Sequence, residues 1–171
     1  MGDYHQVTKQ SLDDANTITI IAGTNFAGSA SNMLNTPYGI FVDNNFNLYV
    51  ADCGNNRVQF FLFGESEGTT VAGSEAAISF PLSCPTAVTV DGADYLFIVD
   101  SGNNRIIKSS AEGFQCVIGC STAYGSAADQ LASPWTLAFD HQGSIFVADT
   151  NNGRLQKFDI ATNSCGESNH I

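Results

Sequence analysis

Three stretches of this chain are variants of one another: "VADCGNNRVQFF" (residues 50–61), "IVDSGNNRIIKS" (98–109) and "VADTNNGRLQKF" (147–158). Such repetition constrains the fold more than any local propensity, because each copy must form the same unit and bury its faces against its neighbours. Pro37, Pro85 and Pro134 stand 48 and 49 residues apart, and Arg57, Arg105 and Arg154 repeat the same two spacings. Those are all the arginines in a chain of seventeen acids, six bases and net charge -11. They belong to the architecture before anything else.

Each unit has the same internal order. After the proline comes an apolar stretch closing on an acid (Asp43, Asp91, Asp140), then a short polar turn. A second apolar stretch closes on Asp52, Asp100 or Asp149, and an Asn-rich turn leads into a third stretch headed by the arginine. A fourth stretch occurs as "TTVAG" and "FQCVIG", and once ahead of the first unit as "TITIIAG" (17–23). These runs are four to seven residues long, rich in Val, Ile, Phe, Tyr and Thr and bounded by Gly, Asn, Asp and Pro, which predicts strands joined by hairpins. No segment carries a helical period. The second strands are apolar on both faces, so every sheet must be covered on both sides. Four-stranded antiparallel blades stacked face to face around an axis meet that demand, which makes the expected fold an all-β propeller.

Writing the strands of a blade a to d from the axis outward, twelve strands amount to three blades per chain. The segment 17–23 then serves as the outer strand of the blade that residues 134–160 leave unfinished. On this reading residues 1–16 are a polar lead, 17–160 the propeller and 161–171 a tail. Three blades do not close a ring, so the expectation is a two-fold homodimer with six blades, in which strand 17–23 of one chain completes the last blade of the other. The competing expectation is a fragment of a longer propeller.

The order of Pro, apolar strand, Asp, turn, "LYVAD" and "NNRVQ" resembles the NHL repeat, a propeller blade unit of many extracellular and regulatory proteins, over roughly residues 17–160. One departure is that Asn56, Asn104 or Gly153 precedes the arginine where the family often has His. The wider family includes lyases whose metal is held by channel histidines. Here His5 and His170 fall in the tails and His141 in a strand turn, so that chemistry does not transfer.

Candidate residues follow from the repeat. Asp52 with Arg57, Asp100 with Arg105 and Asp149 with Arg154 are expected to tie strand ends together through charged hydrogen bonds. The position after each proline, Tyr38, Thr86 and Trp135, lies at the mouth of the channel and is the candidate partner-binding surface. Bulky aromatics there serve either packing or recognition. A ring of strand-end acids could hold calcium, although such Asp residues commonly cap turns. There is no nucleophile elbow or phosphate loop. With six bases in all, a nucleic-acid footprint is missing, and an anionic membrane is disfavoured for the same reason.

Cys53 and Cys84 fall in loops on one face of adjacent blades and are the expected disulfide. Cys116 and Cys120 can pair only if the chain turns at Gly119, and Cys165 in the tail is the expected leftover of five. Paired cysteines point outside the cell, whereas buried free thiols would suit a cytosolic chain. No apolar run approaches a membrane span, and the first sixteen residues lack the apolar core of a secretory signal. The expected function is a non-enzymatic scaffold binding itself and a protein or peptide, without catalytic residues, cofactor or metal. The alternative is a channel enzyme with a carboxylate-bound metal such as calcium.

Overall fold

The computed structural model describes residues 4–13 and 17–159. The described residues form only strands and short 3-10 turns, arranged as one two-stranded, two four-stranded and one three-stranded antiparallel sheet. The first repeat unit is β3 (Pro37–Val42), β4 (Leu48–Asp52), β5 (Arg57–Phe61) and β6 (Thr69–Ala72), paired in that order. The second is β7 (Pro85–Val90), β8 (Leu96–Asp100), β9 (Arg105–Ser110) and β10 (Gly113–Ile118). The third holds β11 (Pro134–Phe139), β12 (Ile145–Asp149) and β13 (Arg154–Phe158), and no described strand pairs with the outer edge of β13. Register repeats with the sequence: Pro37, Pro85 and Pro134 lie opposite Asp52, Asp100 and Asp149.

The repeated polar turns have specific causes. Asp43 Oδ1 accepts hydrogen bonds from the Asn45 and Asn47 amides, Asp91 Oδ1 from Ala93 and Tyr95, and Asp140 Oδ1 from Gln142 and Ser144. Each first hairpin is thus closed by the aspartate that begins its turn. In the second hairpin a 3-10 turn ends at Asn56, Asn104 or Gly153, all left-handed (φ 53°, 52° and 61°), a conformation Asn and Gly tolerate best.

Packing explains why the middle strands are apolar on both sides. β8 is buried along its whole length because unit 1 covers one face and unit 3 the other. One core joins Ala51, Val58 and Ala72 of unit 1 to Leu82, Val88, Leu96 and Ile98 of unit 2. The next repeats it one unit on, setting Phe97, Val99, Ile106 and Ile118 against Leu131, Ile145 and Val147. In β12 the alternate residues Phe146 and Ala148 are less covered, as no described unit follows.

One expectation is corrected. The strand within 17–23 is not waiting for a sheet: β2 (Ile18–Gly23) pairs with β1 (Gln6–Gln10) of its own chain, inside the segment read as a polar lead. "QVTKQ" carries one apolar residue, Val7, so its composition concealed a strand. Val7, Ala22 and Leu34 pack on Leu48, Val50 and Phe61 of unit 1, in the places that Val58, Ala72 and Leu82 take at the next interface. The β1–β2 hairpin therefore packs on unit 1 as the two outer strands of unit 1 pack on unit 2. His5 completes the likeness: the Thr36 amide donates to His5 Nδ1 (3.0 Å) as Cys84 donates to Asn56 Oδ1 (2.8 Å) and Ser133 to Asn104 Oδ1 (2.9 Å). The histidine read as a tail residue stands where the repeat has Asn56 and Asn104.

Candidate recognition site at the channel mouth

Strands β3, β7 and β11 lie side by side as the inner strands of their units, and they approach closely where unit 1 has Gly39. A Cβ on Gly39 would sit 2.5 Å from the Thr86 carbonyl oxygen and 2.8 Å from the Ala87 Cα. The corresponding residues of the other units are Ala87 and Thr136, so this contact alone demands glycine. Thr86 is buried, and its hydroxyl donates to the Pro134 carbonyl at 3.3 Å. Both junctions are thereby drawn close: unit 1 against unit 2 through a missing side chain, and unit 2 against unit 3 through a hydroxyl.

The consequence lies on top. Tyr38 and Trp135, from units 1 and 3, meet across the buried Thr86 of unit 2, with ring centroids 4.9 Å apart and planes tilted by 53°. Both rings remain about half exposed, at 48% and 47%. Beneath them is a cavity of about 370 Å³ lined by the three inner strands, from Tyr38 to Phe41, Thr86 to Thr89 and Trp135 to Leu137. The three positions read from the sequence are thus one place, in which two are available to a partner and Thr86 is a spacer. Gly39 was not legible as part of it, its only signal being a glycine where the other units carry side chains.

The aspartate and arginine of each unit form a buried node that fastens the preceding loop. Arg57 Nε donates to Asp52 Oδ2 at 2.8 Å, while its Nη atoms reach the carbonyls of Ser29, Ala30 and Met33. Asp52 also accepts from the Asn35 amide and the Asn55 side chain. Asp100 and Arg105 repeat the pair at 2.8 Å with Asn103, the Ser83 amide and the Pro81 carbonyl. Asp149 and Arg154 do so with Asn152, the Ala132 amide and the carbonyls of Ser126, Ala127 and Gln130. All three aspartates are fully buried. Burial pushes the Asp149 carboxyl up, but the bonds from Asn152, Arg154 and the Ala132 amide outweigh it and hold it below its ordinary value. The Nη donors of Arg57 and Arg154 are thus committed to loop carbonyls, whereas Arg105 has one such bond and stacks over the Phe80 ring at 4.8 Å.

The turn aspartates are committed likewise. Asp43 and Asp140 titrate below the ordinary value although desolvation opposes it, because their turns donate hydrogen bonds to the ionised form. Among the described residues no three of His, Cys, Asp or Glu converge as a metal would require. The calcium-binding ring of strand-end acids therefore has no assembled ligand set in the described residues.

Disulfides join Cys53 to Cys84, between units 1 and 2, and Cys116 to Cys120. The latter closes because Gly119 turns the chain at φ 70°, bringing the two Cα atoms to 5.5 Å. Cys165 lies outside the described residues. No described helix is long and apolar enough to cross a membrane.

Residues 131–158 match the family model described as NHL repeat. Comparison with curated proteins finds no match. Among solved structures, an auxiliary nutrient binding protein from Bacteroides thetaiotaomicron superposes with TM-score 0.65 at 12% identity, over 91% of this chain and 43% of that one. A streptogramin B lyase superposes at 0.58 and 16% identity, over 95% and 50%. A gluconolactonase from Xanthomonas campestris gives 0.51 and 19%, over 67% and 35%. At these identities the likeness concerns fold alone, and the chain spans half or less of the length of each structure.

Proposed function

We propose that this chain of NHL-type repeats is a non-enzymatic recognition module, which holds an extended protein or peptide segment against the joint surface of the Tyr38 and Trp135 rings at the mouth of its channel. The observation that carries the reading is two half-exposed rings from different units converging over one cavity. Elsewhere the aromatics of the inner and middle strands, apart from Phe146 on the uncovered face of unit 3, sit in inter-unit packing, as Phe97 does edge-on to Phe139 at 4.9 Å. Exposed rigid aromatics over a concave surface are the usual anchors of binding sites. A net charge of -11 favours encounter with basic segments. An extracellular setting is supported by the two disulfides.

The rival reading, a channel enzyme, draws on the lyase and the gluconolactonase among similar folds. It lacks a catalytic constellation here: besides Tyr38, Phe41 and Trp135 the cavity is lined by Thr86, Thr89, Thr136, Gly39 and aliphatic residues, without an acid, histidine or cysteine. Fold likeness does not transfer activity.

Trp135 is the only tryptophan, so its emission reports directly on this site. A displayed library of peptides, panned on the immobilised protein, is expected to yield binders that shift that emission. Their affinity is expected to fall about 30-fold on Trp135→Ala, the loss of a hot-spot residue worth about 2 kcal/mol. Binders that hold Trp135→Ala and the wild type equally would refute the site.

A further inference from the structure

The open face of unit 1 is half covered, and the repeat itself shows what is missing. Unit 2 turns Val88, Val90, Leu96 and Ile98 toward unit 1, where Ala51 and Tyr49 of β4 help to cover them. Unit 1 turns Ile40, Val42, Leu48 and Val50 the same way. The β1–β2 hairpin reaches Leu48 and Val50, but Ile40 and Val42 stay 52% and 48% exposed, against 5% for Val88. They line a groove of about 800 Å³ with Val7, Ile20, Phe46 and Phe63. What the groove lacks is an inner and a middle strand. At the other end of the chain, β11 and β12 are such a pair. Their uncovered face presents Phe146 and Ala148, at the repeat positions of Tyr49 and Ala51, followed by Leu155 at that of Val58.

We propose that unit 3 of a second copy seats on unit 1, with β11 and β12 filling the groove and β13 taking the place of β1 beside β2. β13 and β1 are the same strand of the repeat, so one must give way, and β1 is the weaker occupant. Gln6 stands at the arginine position of the repeat, and its Oε1 is buried without a hydrogen-bond partner. Arg154 at the same position carries its aspartate and three loop carbonyls with it. The backbone ladder is exchanged strand for strand, Leu155 replaces Val7 as the apolar contact, and Ile40, Val42 and Phe146 become covered. The exchange gives up the bond from Thr36 to His5, since Gly153 has no side chain to replace it. Made reciprocally, the contact gives each chain two blades of its own and a share in two composite ones, a closed six-bladed ring of a size propellers commonly adopt. This assembly borders the recognition site, with which it shares Ile40 and strand β11, but its test reads mass and cross-linking rather than peptide capture.

Size-exclusion with light scattering on the whole chain is expected to give twice the chain mass at tens of micromolar. Val42→Glu, already half exposed in the single chain, is expected to leave a folded monomer. The exchanged register would place Leu155 of one chain opposite Ala22 of the other, as Val58 lies opposite Ala72. A mixture of Ala22→Cys and Leu155→Cys chains is therefore expected to form a disulfide-linked dimer that neither chain forms alone. A monomeric wild type, a dimer indifferent to Val42→Glu, or a dimer without the mixed cross-link would each overturn the proposal.

Discussion

Replacing Arg57 by methionine isolates what the buried node contributes. The change keeps much of the apolar stem and removes the guanidinium, deleting one bond to Asp52 and three to the loop carbonyls of Ser29, Ala30 and Met33. Asp52 would keep its bonds from the Asn35 amide and the Asn55 side chain but lose its counter-charge in a site without solvent. Removing one partner of a buried pair costs about 3–5 kcal/mol. The three units grade the effect, because the arginine side chains are 5%, 15% and 31% exposed in units 1, 2 and 3. Arg154→Met should therefore cost less, about 1–2 kcal/mol, its pair being partly hydrated and closer to the surface regime. Urea unfolding followed by far-ultraviolet circular dichroism, with disulfides intact, measures both. Equal losses for the two variants, or a loss below 1 kcal/mol for Arg57→Met, would refute the view that buried charge pairing, rather than sequence identity, sets the value of the motif.

Three further outcomes are expected. Serine at Cys53 should cost about 4 kcal/mol and serine at Cys116 about 2, because the closed loops span separations of 31 and 4 residues and closure entropy grows with length; thermal melts of the two variants compare them. Gly39→Val should separate units 1 and 2 and lower stability by at least about 2 kcal/mol, since its Cβ meets backbone atoms that cannot move aside; quenching of Trp135 by acrylamide should rise with it. Asp149 is depressed in the folded chain below its ordinary 3.8. Its contribution is therefore complete above that value and lost as pH falls through the lower folded value, so acid titration of Asp149→Asn should show a weaker loss of stability below pH about 4.

The sequence by itself determined the unit. Period, strand order, the turn-closing aspartates, the aspartate and arginine nodes and the both-sided apolarity of the middle strands are local or periodic properties, and a repeat states each of them three times. Composition misled where one copy departed from the others: "QVTKQ" forms a strand because Val7 finds the pocket that Val58 fills in the next unit, not because its residues favour one. Only the tertiary structure decided that the partner of β2 is β1, that Thr86 is a buried spacer while Tyr38 and Trp135 face solvent, and that Ile40 and Val42 are left uncovered. These outcomes depend on how far apart neighbouring units stand, which is set by contacts such as Gly39 against Thr86 between residues about fifty positions apart. A pattern of residues along a chain fixes which face a side chain takes, whereas what lies opposite that face is a fact of packing.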